Sequence, residues 1–240
     1  MENLVDMHCH ILPGADDGPK KIEESMEMLR METQEGVHKI ILTPHYRMGM
    51  FETSRERVKE ALFELQRAAD GSKIDVQLFL GCEFYRRSEI LDILRMDRAY
   101  SMADSSYVLI EFCGSDNYSC IRNYSMGLVN YGFRPIIAHA ERYPALRNQD
   151  HIRKLIDSGV YIQVNAGSIL GHEGWNSRHF CRKLLKAGCV HFIGSDAHDL
   201  KRRPPCLGKC AAYLEKQLGY KETVRILREN PEKLLKNEYL

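Results

Sequence analysis

The chain has no long hydrophobic run. Across 240 residues its apolar stretches are only a few residues each, far short of the roughly 20 needed to cross a bilayer. It has no charge excess: 34 Lys and Arg against 33 Asp and Glu leave a formal net charge of +1. Nothing electrostatic therefore favours nucleic acid or an anionic membrane as the main partner. No basic segment followed by an apolar one opens the sequence, since Glu2 and Asp6 flank a very short apolar pair. A cytoplasmic protein without membrane insertion is expected. The eight cysteines include no C-x-x-C pair. Cys9, Cys82, Cys113 and Cys189 lie in or beside apolar runs, where a reduced thiol acts as a small hydrophobe, and a chain of this length needs no disulfide staples. Catalytic signatures are missing too. No cysteine is followed six residues later by arginine, and there is no G-x-x-x-x-G-K-[ST], G-x-G-x-x-G or G-x-S-x-G. The motifs of cysteine-loop phosphate chemistry and of an acyl-enzyme elbow are thus absent, and the missing glycine loops argue against nucleotide triphosphate or dinucleotide use.

What the chain does have is a recurrent ending. Its short apolar runs stop at a histidine or an acid: Leu4-Val5-Asp6-Met7-His8-Cys9-His10, Ile40-Ile41-Leu42-Thr43-Pro44-His45 and Leu78-Phe79-Leu80-Gly81-Cys82-Glu83. Val108-Leu109-Ile110-Glu111, Ile136-Ile137-Ala138-His139 and His191-Phe192-Ile193-Gly194-Ser195-Asp196-Ala197-His198 end the same way. Strands are expected near 3–8, 38–44, 76–83, 107–111, 135–139, 160–165 and 190–195. Helical periodicity lies between them: Ile22, Met26 and Leu29 before Gly36, Val58, Ala61, Leu62 and Leu65 before Gly71, Ile152, Leu155 and Ile156 before Gly159, and Phe180, Leu184 and Leu185 before Gly188. Two closing helices are expected after Pro204-Pro205. Repeated strand–helix–strand units favour parallel strands with right-handed crossovers. Seven such strands form one α/β domain over 1–240, a closed or nearly closed barrel. An open doubly wound sheet is the weaker alternative, because it gathers ligand groups at one switch point rather than at almost every strand end.

In a barrel those endings share one rim, where α/β barrels place their active sites. On a strand, residues two apart face the same way, so His8 and His10 can reach one ion while Cys9 turns away. The loop Pro13-Gly14-Ala15-Asp16-Asp17-Gly18-Pro19 can aim an aspartate back at the rim. Each signal is weak alone. Together they gather His8, His10, His45, His139 and His198 with Asp17, Glu83, Glu111 and Asp196. Carboxylates about 5 Å apart repel by roughly 3 kcal/mol per pair at an effective dielectric near 20, which four converging acids escape by holding divalent cations. Imidazole with carboxylate, and no thiolate, suits Mn²⁺, Fe or Zn²⁺ better than Ca²⁺. Arg142 and Arg203 lie just beyond His139 and His198, and a guanidinium fork matches phosphate oxygens; Arg47 and Arg202 are weaker candidates for that role. His38, His151, His172, His179 and His191 read as surface or helix residues. Hydrolysis by metal-activated water remains.

At these residues the chain resembles the polymerase-and-histidinol-phosphatase (PHP) family of metal-dependent hydrolases, and within it the bacterial protein-tyrosine phosphatases of capsule and exopolysaccharide loci. The resemblance runs from Asp6-Met7-His8-Cys9-His10 to the C-terminus. It is carried also by Asp16-Asp17-Gly18-Pro19, Thr43-Pro44-His45, Gly49-Met50-Phe51-Glu52-Thr53, Leu109-Ile110-Glu111-Phe112, His139-Ala140-Glu141-Arg142-Tyr143, Gln163-Val164-Asn165, and Ser195-Asp196-Ala197-His198 with Arg203-Pro204-Pro205. It implies a distorted seven-stranded (β/α) barrel with three divalent metals, commonly Mn²⁺, held by His8, His10, Asp17, His45, Glu83, Glu111, His139, Asp196 and His198. Arg142 and Arg203 would grip the phosphate. The implied reaction is in-line attack of metal-activated hydroxide on phosphotyrosine, the substrate being the tyrosine-rich tail of an autophosphorylating bacterial tyrosine kinase. Histidinol phosphate, or another small phosphomonoester, is the alternative substrate within the same family.

Overall fold

The branched and aromatic residues of the apolar runs form strands, as such side chains do on a pleated, half-buried surface. The computed structural model describes residues 1–240. Nine strands occur: β1 (Leu4–Cys9), β2 (Val37–Leu42), β3 (His45–Tyr46), β4 (Gln77–Leu80), β5 (Glu83–Tyr85), β6 (Tyr107–Glu111), β7 (Arg134–Ile137), β8 (Tyr161–Asn165) and β9 (Phe192–Gly194). They pair in parallel as a three-stranded sheet, β1-β2-β4, and a six-stranded one, β3-β5-β6-β7-β8-β9.

The two sheets part where Thr43-Pro44 separates β2 from β3 and Gly81-Cys82 separates β4 from β5. Proline has no N–H for the ladder. Gly81 has no room for a side chain, since a Cβ there would meet Ile41 and Met102 at 3.0 Å. Bonds still cross the break, from Gly81 N–H to Leu42 O (2.8 Å) and from Glu83 N–H to Pro44 O (3.1 Å). At the other side the surface curls until the residues after β9 reach β1. Asp196 N–H donates to His8 O and His10 N–H to Ala197 O, both at 2.8 Å. The mixed α/β architecture with a curled parallel sheet is thus as expected, though hydrogen bonding divides the strands more finely than the anticipated seven.

Helices connect the strands: α1 (Ile22–Gln34), α2 (Arg55–Gly71), α3 (Ile90–Arg95), α4 (Tyr118–Asn130), α5 (Gln149–Asp157), α6 (Ala166–Leu170), α7 (Trp175–Lys186) and α8 (Leu207–Leu218). The closing segment is more broken than the expected pair of helices: after α8 come α9 (Tyr220–Val224), a π turn over 225–229, and α10 (Asn230–Leu235). One cluster of 56 buried residues joins the helices to the outer sheet faces. A second, of nine, takes Met7, Ile41, Leu109, Ile136 and Phe192 from strands of both sheets and adds Met102 and Leu234. Strands of both sheets share that cluster, so the curled sheet has a packed interior. All eight cysteines are free, with Cys113 and Cys120 only half-buried. No helix is long and apolar enough to cross a membrane.

Candidate metal centre

The carboxyl ends of the strands bring all nine expected ligand residues together. His8 and His10, at the end of β1, are fully buried, while Cys9 between them turns into the main core. The break after β2 delivers His45, the break after β4 delivers Glu83, and β6 ends on Glu111. His139 and Asp196 follow β7 and β9 with φ of +32° and +53°. Non-glycine residues seldom occupy that region, and strain of this kind concentrates at functional sites. Asp17 comes from the loop after β1 and His198 from the segment after β9.

Glu83 is the hub. Its Oε2 lies 3.3 Å from His8 Nε2, 3.2 Å from His10 Nε2 and 3.0 Å from His45 Nδ1, and its Oε1 lies 2.8 Å from His139 Nε2. Asp196 Oδ1 is 3.6 Å from His8 Nε2 and 3.5 Å from His10 Nε2. Asp17 Oδ1 is 3.6 Å from His45 Nε2 and 3.5 Å from His198 Nε2, and Glu111 Oε1 is 3.8 Å from His139 Nε2. Three sets have ligand atoms within 4.8 Å of one another: His10, Asp17, His45 and His198; His8, His10 and Asp196; His45, Glu83 and Glu111.

This donor set fits divalent cations on a structural ground. Glu83 Oε2 and His198 Nε2 are buried without any hydrogen-bond partner, which leaves lone pairs aimed into the cluster. The proton on each β1 imidazole is claimed from behind: His8 Nδ1 faces Gln163 Oε1 at 3.3 Å and His10 Nδ1 faces Asp16 Oδ2 at 2.6 Å. Assigning the protons to Nδ1 on those partners leaves two Nε2 lone pairs only 3.2 Å apart, an arrangement that a shared cation relieves. Without an ion, the same acids draw a proton onto the cluster instead, one that a bound cation would displace. Burial opposes charge on His10, yet Asp16 and Glu83 drive it up to about 10. Burial, then the neighbouring His10, push His198 down to about 2. Burial would raise Glu83 and Asp196, but the imidazoles around the one, and His8, Arg142 and Arg203 around the other, hold both below the ordinary carboxylate range. The pocket therefore carries ionised acids and seeks positive charge.

Arg142 donates to Glu173 (2.7 and 3.2 Å) and lies 3.1 Å from Asp196 Oδ2, which Arg203 also contacts. Both guanidinium groups line a pocket of about 420 Å³ with Asp17, His45, Glu83, Glu111, His139 and Asp196 on its floor and walls. Arg47 joins that lining, whereas exposed Arg202 borders an adjoining cavity.

Several supporting residues escaped the sequence reading. Asp16 is the buried member of its acidic pair and also accepts from the N–H groups of Gly18 (2.9 Å) and His45 (2.8 Å). Asp6 accepts from the N–H of Ser195 (2.9 Å) and from its hydroxyl (2.5 Å), fixing the end of β9. Gln163 Oε1 accepts from His139 N–H at 2.6 Å, and Asn165 Nδ2 donates to Asp196 Oδ2 at 2.6 Å. Buried Glu141 accepts from Asn165 N–H at 3.0 Å. The available signal was proximity to a ligand in sequence, which names these residues without telling ligand from support. His191, expected on the surface or a helix, lies instead half-buried just before β9, where its Nδ1 accepts from Ile162 N–H at 3.0 Å.

Fold and pocket together define an α/β protein built around a candidate multinuclear metal centre. The chain belongs to the capsular polysaccharide synthesis CpsB/CapC family, whose profile matches residues 4–236. It is 31% identical to the tyrosine-protein phosphatase CpsB of Streptococcus agalactiae, over 99% of this chain and 100% of that protein. It is 33% identical to the tyrosine-protein phosphatase YwqE of Bacillus subtilis, over 98% of this chain and 92% of that one. A crystal structure from work on YwqE and Streptococcus pneumoniae CpsB, described as metal-dependent tyrosine phosphatases, matches with a TM-score of 0.91 at 32% identity. It covers 99% of this chain and 96% of its own.

Proposed function

We propose that this chain is a metal-dependent protein-tyrosine phosphatase. The observation that carries the reading is the convergence of three imidazole nitrogens on Glu83 Oε2, a buried carboxylate oxygen with no hydrogen bond of its own. We assign His8, His10, Asp17, His45, Glu83, Glu111, His139, Asp196 and His198 as ligands of three divalent ions, with Mn²⁺ the first candidate and Fe or Zn²⁺ the others. Such ions supply a water whose pKa falls from 15.7 to about 7, and they neutralise the carboxylates.

The chain's own residues do the rest. Arg142 and Arg203 present guanidinium N–H groups to the pocket for the phosphoryl oxygens, Arg142 through Nη1, since Glu173 and Asp196 take its Nε and Nη2. Asp196 and Glu173 hold those arginines, so the positive charge is oriented before substrate arrives. Asp16 and Gln163 keep the Nδ1 protons of His10 and His8, leaving Nε2 free to ligate. A phenolate leaving group, of pKa about 10, departs with little help from an acid. No cysteine lines the pocket, so no thiol phosphoenzyme forms there.

The substrate we assign is a phosphotyrosine in the tail of a bacterial tyrosine kinase that controls capsule or exopolysaccharide synthesis, met in the cytoplasm. Reading β2 with β3, and β4 with β5, as single bent strands gives the seven strands of a PHP-type barrel spanning 1–240 as one domain. Metal analysis of the purified protein, then assay of a phosphotyrosine peptide after chelation and Mn²⁺ return, tests the assignment. Turnover should vanish with chelator and recover with metal. Metal-loaded protein that leaves the peptide intact would overturn it.

A further inference from the structure

A phosphoryl group surrounded by cations and arginines has no use for an apolar wall, yet the pocket has one. Met50 and Phe51 are the two hydrophobic residues among its lining, and they share one small hairpin. Arg47 and Phe51 exchange backbone hydrogen bonds at 2.8 Å in both directions, and Gly49 makes the turn at φ +78°. The hairpin is tied down at both ends. Arg47 lays its guanidinium 4.2 Å from the centroid of the Tyr85 ring, and Thr53 Oγ donates to Ala15 O at 2.8 Å, in the loop that carries Asp17. The Phe51 ring stacks on His45, with centroids 5.7 Å apart and planes inclined by 14°. Met50 is 63% exposed at the mouth. Met50 and the half-buried Phe51 thus offer an apolar face at the mouth, which an apolar group could cover.

We infer that Met50 and Phe51 are specificity-determining residues that clasp the aryl group of the substrate, selecting aromatic over alkyl phosphomonoesters. The inference rests on the phosphatase reading and adds to it the source of aryl preference. The ester's organic group projects outward from the phosphoryl site, toward the mouth where the hairpin stands. A phenyl ring there gains stacking against Phe51 and a sulfur–aromatic contact with Met50. A short alkyl chain gains little from either. This preference is separate from leaving-group chemistry, because the hairpin acts on binding.

Phosphonates, which are not hydrolysed, isolate that effect. Calorimetric titration of the full, manganese-loaded chain with phenylphosphonate and ethylphosphonate should show the aryl compound binding more tightly. Met50→Ala and Phe51→Leu should each narrow the ratio of the two Kd values by about three- to tenfold, the size of an aromatic contact. Phe51→Tyr should restore the ratio. Met50 is exposed, so Met50→Ala keeps the fold even where the change at Phe51 disturbs His45. A ratio unchanged in both variants would overturn the clasp and leave the phosphatase reading standing, provided the same samples hydrolyse p-nitrophenyl phosphate. Wild-type protein inactive on that ester with metal restored would sink the phosphatase reading and the clasp with it.

Discussion

The side-chain amide of Gln163 has each end fixed by different neighbours. Its oxygen accepts from His139 N–H (2.6 Å) and faces His8 Nδ1 (3.3 Å), while its nitrogen donates to Asn165 Oδ1 at 2.9 Å. Asn165 in turn donates to Asp196 at 2.6 Å. Turning the amide over would set N–H against N–H, so one orientation serves three candidate ligands at once. Gln163→Met keeps the length and removes the three contacts made by the amide itself. It leaves the buried His139 N–H unpaired, at a cost of about 1–3 kcal/mol. Mn²⁺ affinity should fall by roughly 10- to 100-fold, the usual effect of losing such a supporting bond. Calorimetric titration of the metal-free protein with Mn²⁺ reads this directly; an unchanged affinity would deny Gln163 that role. Removing a ligand itself is harsher. His139→Ala or Asp196→Ala should abolish phosphatase turnover while far-UV circular dichroism stays near that of the parent.

At the scale of elements, the decisive junction is where β9 meets β1. A Cβ on Gly194 would come within 2.5 Å of the His8 Cβ and 3.1 Å of its carbonyl oxygen, so only glycine lets the two strands approach. Gly194→Ala must push β9 outward, carrying Asp196 away from His8. Such overpacking costs about 1–3 kcal/mol, which a denaturant titration will register, and Mn²⁺ affinity should drop with it. The residue just before that strand makes a titratable contact. Burial, then the charge of Arg225, lower the His191 pKa from 6.5 to about 4, and its Nδ1 must stay unprotonated to accept from Ile162 N–H. Between pH 6.5 and 4 the unfolded chain takes up a proton that the folded chain refuses, so stability declines as pH falls through that window. His191→Asn keeps an acceptor without the titration. The fall in Tm between pH 6.5 and 4 should therefore be shallower in the variant than in the parent; parallel curves would show that His191 contributes nothing to acid sensitivity.

At the scale of the whole molecule, the sequence exposed the rim better than it exposed the frame behind it. Strand ends were legible because each apolar run stops at a residue type with metal-ligating chemistry, and parallel strands point their ends one way. Helices α3, α4 and α6 were not separately legible, since α3 and α6 span only six and five residues and α4 carries polar residues among its apolar ones. The division of labour between Asp16 and Asp17 was equally hidden: adjacent acids in a glycine loop carry no mark of which one will be buried. The broken strands also follow from long-range pairing, which no local window contains. Held in that frame, Asp17, Glu83, Glu111 and Asp196 face one another with Arg142 and Arg203 as the nearby fixed cations, so the folded state should be more stable with divalent ions than without. At metal concentrations a hundredfold above Kd, one site adds about 2.7 kcal/mol, equivalent to a Tm rise of roughly 5–10 °C in a domain of this size. Thermal scans in chelator, then in increasing Mn²⁺, should trace that rise and saturate. Glu83→Gln, which removes the charge at the hub without changing its shape, should flatten the response and lower the Tm in chelator relative to the parent, because the surrounding imidazoles hold Glu83 ionised in the folded state and that charge contributes stability. A parent Tm indifferent to chelator and to added metal would show that the nine groups meet for some purpose other than holding ions.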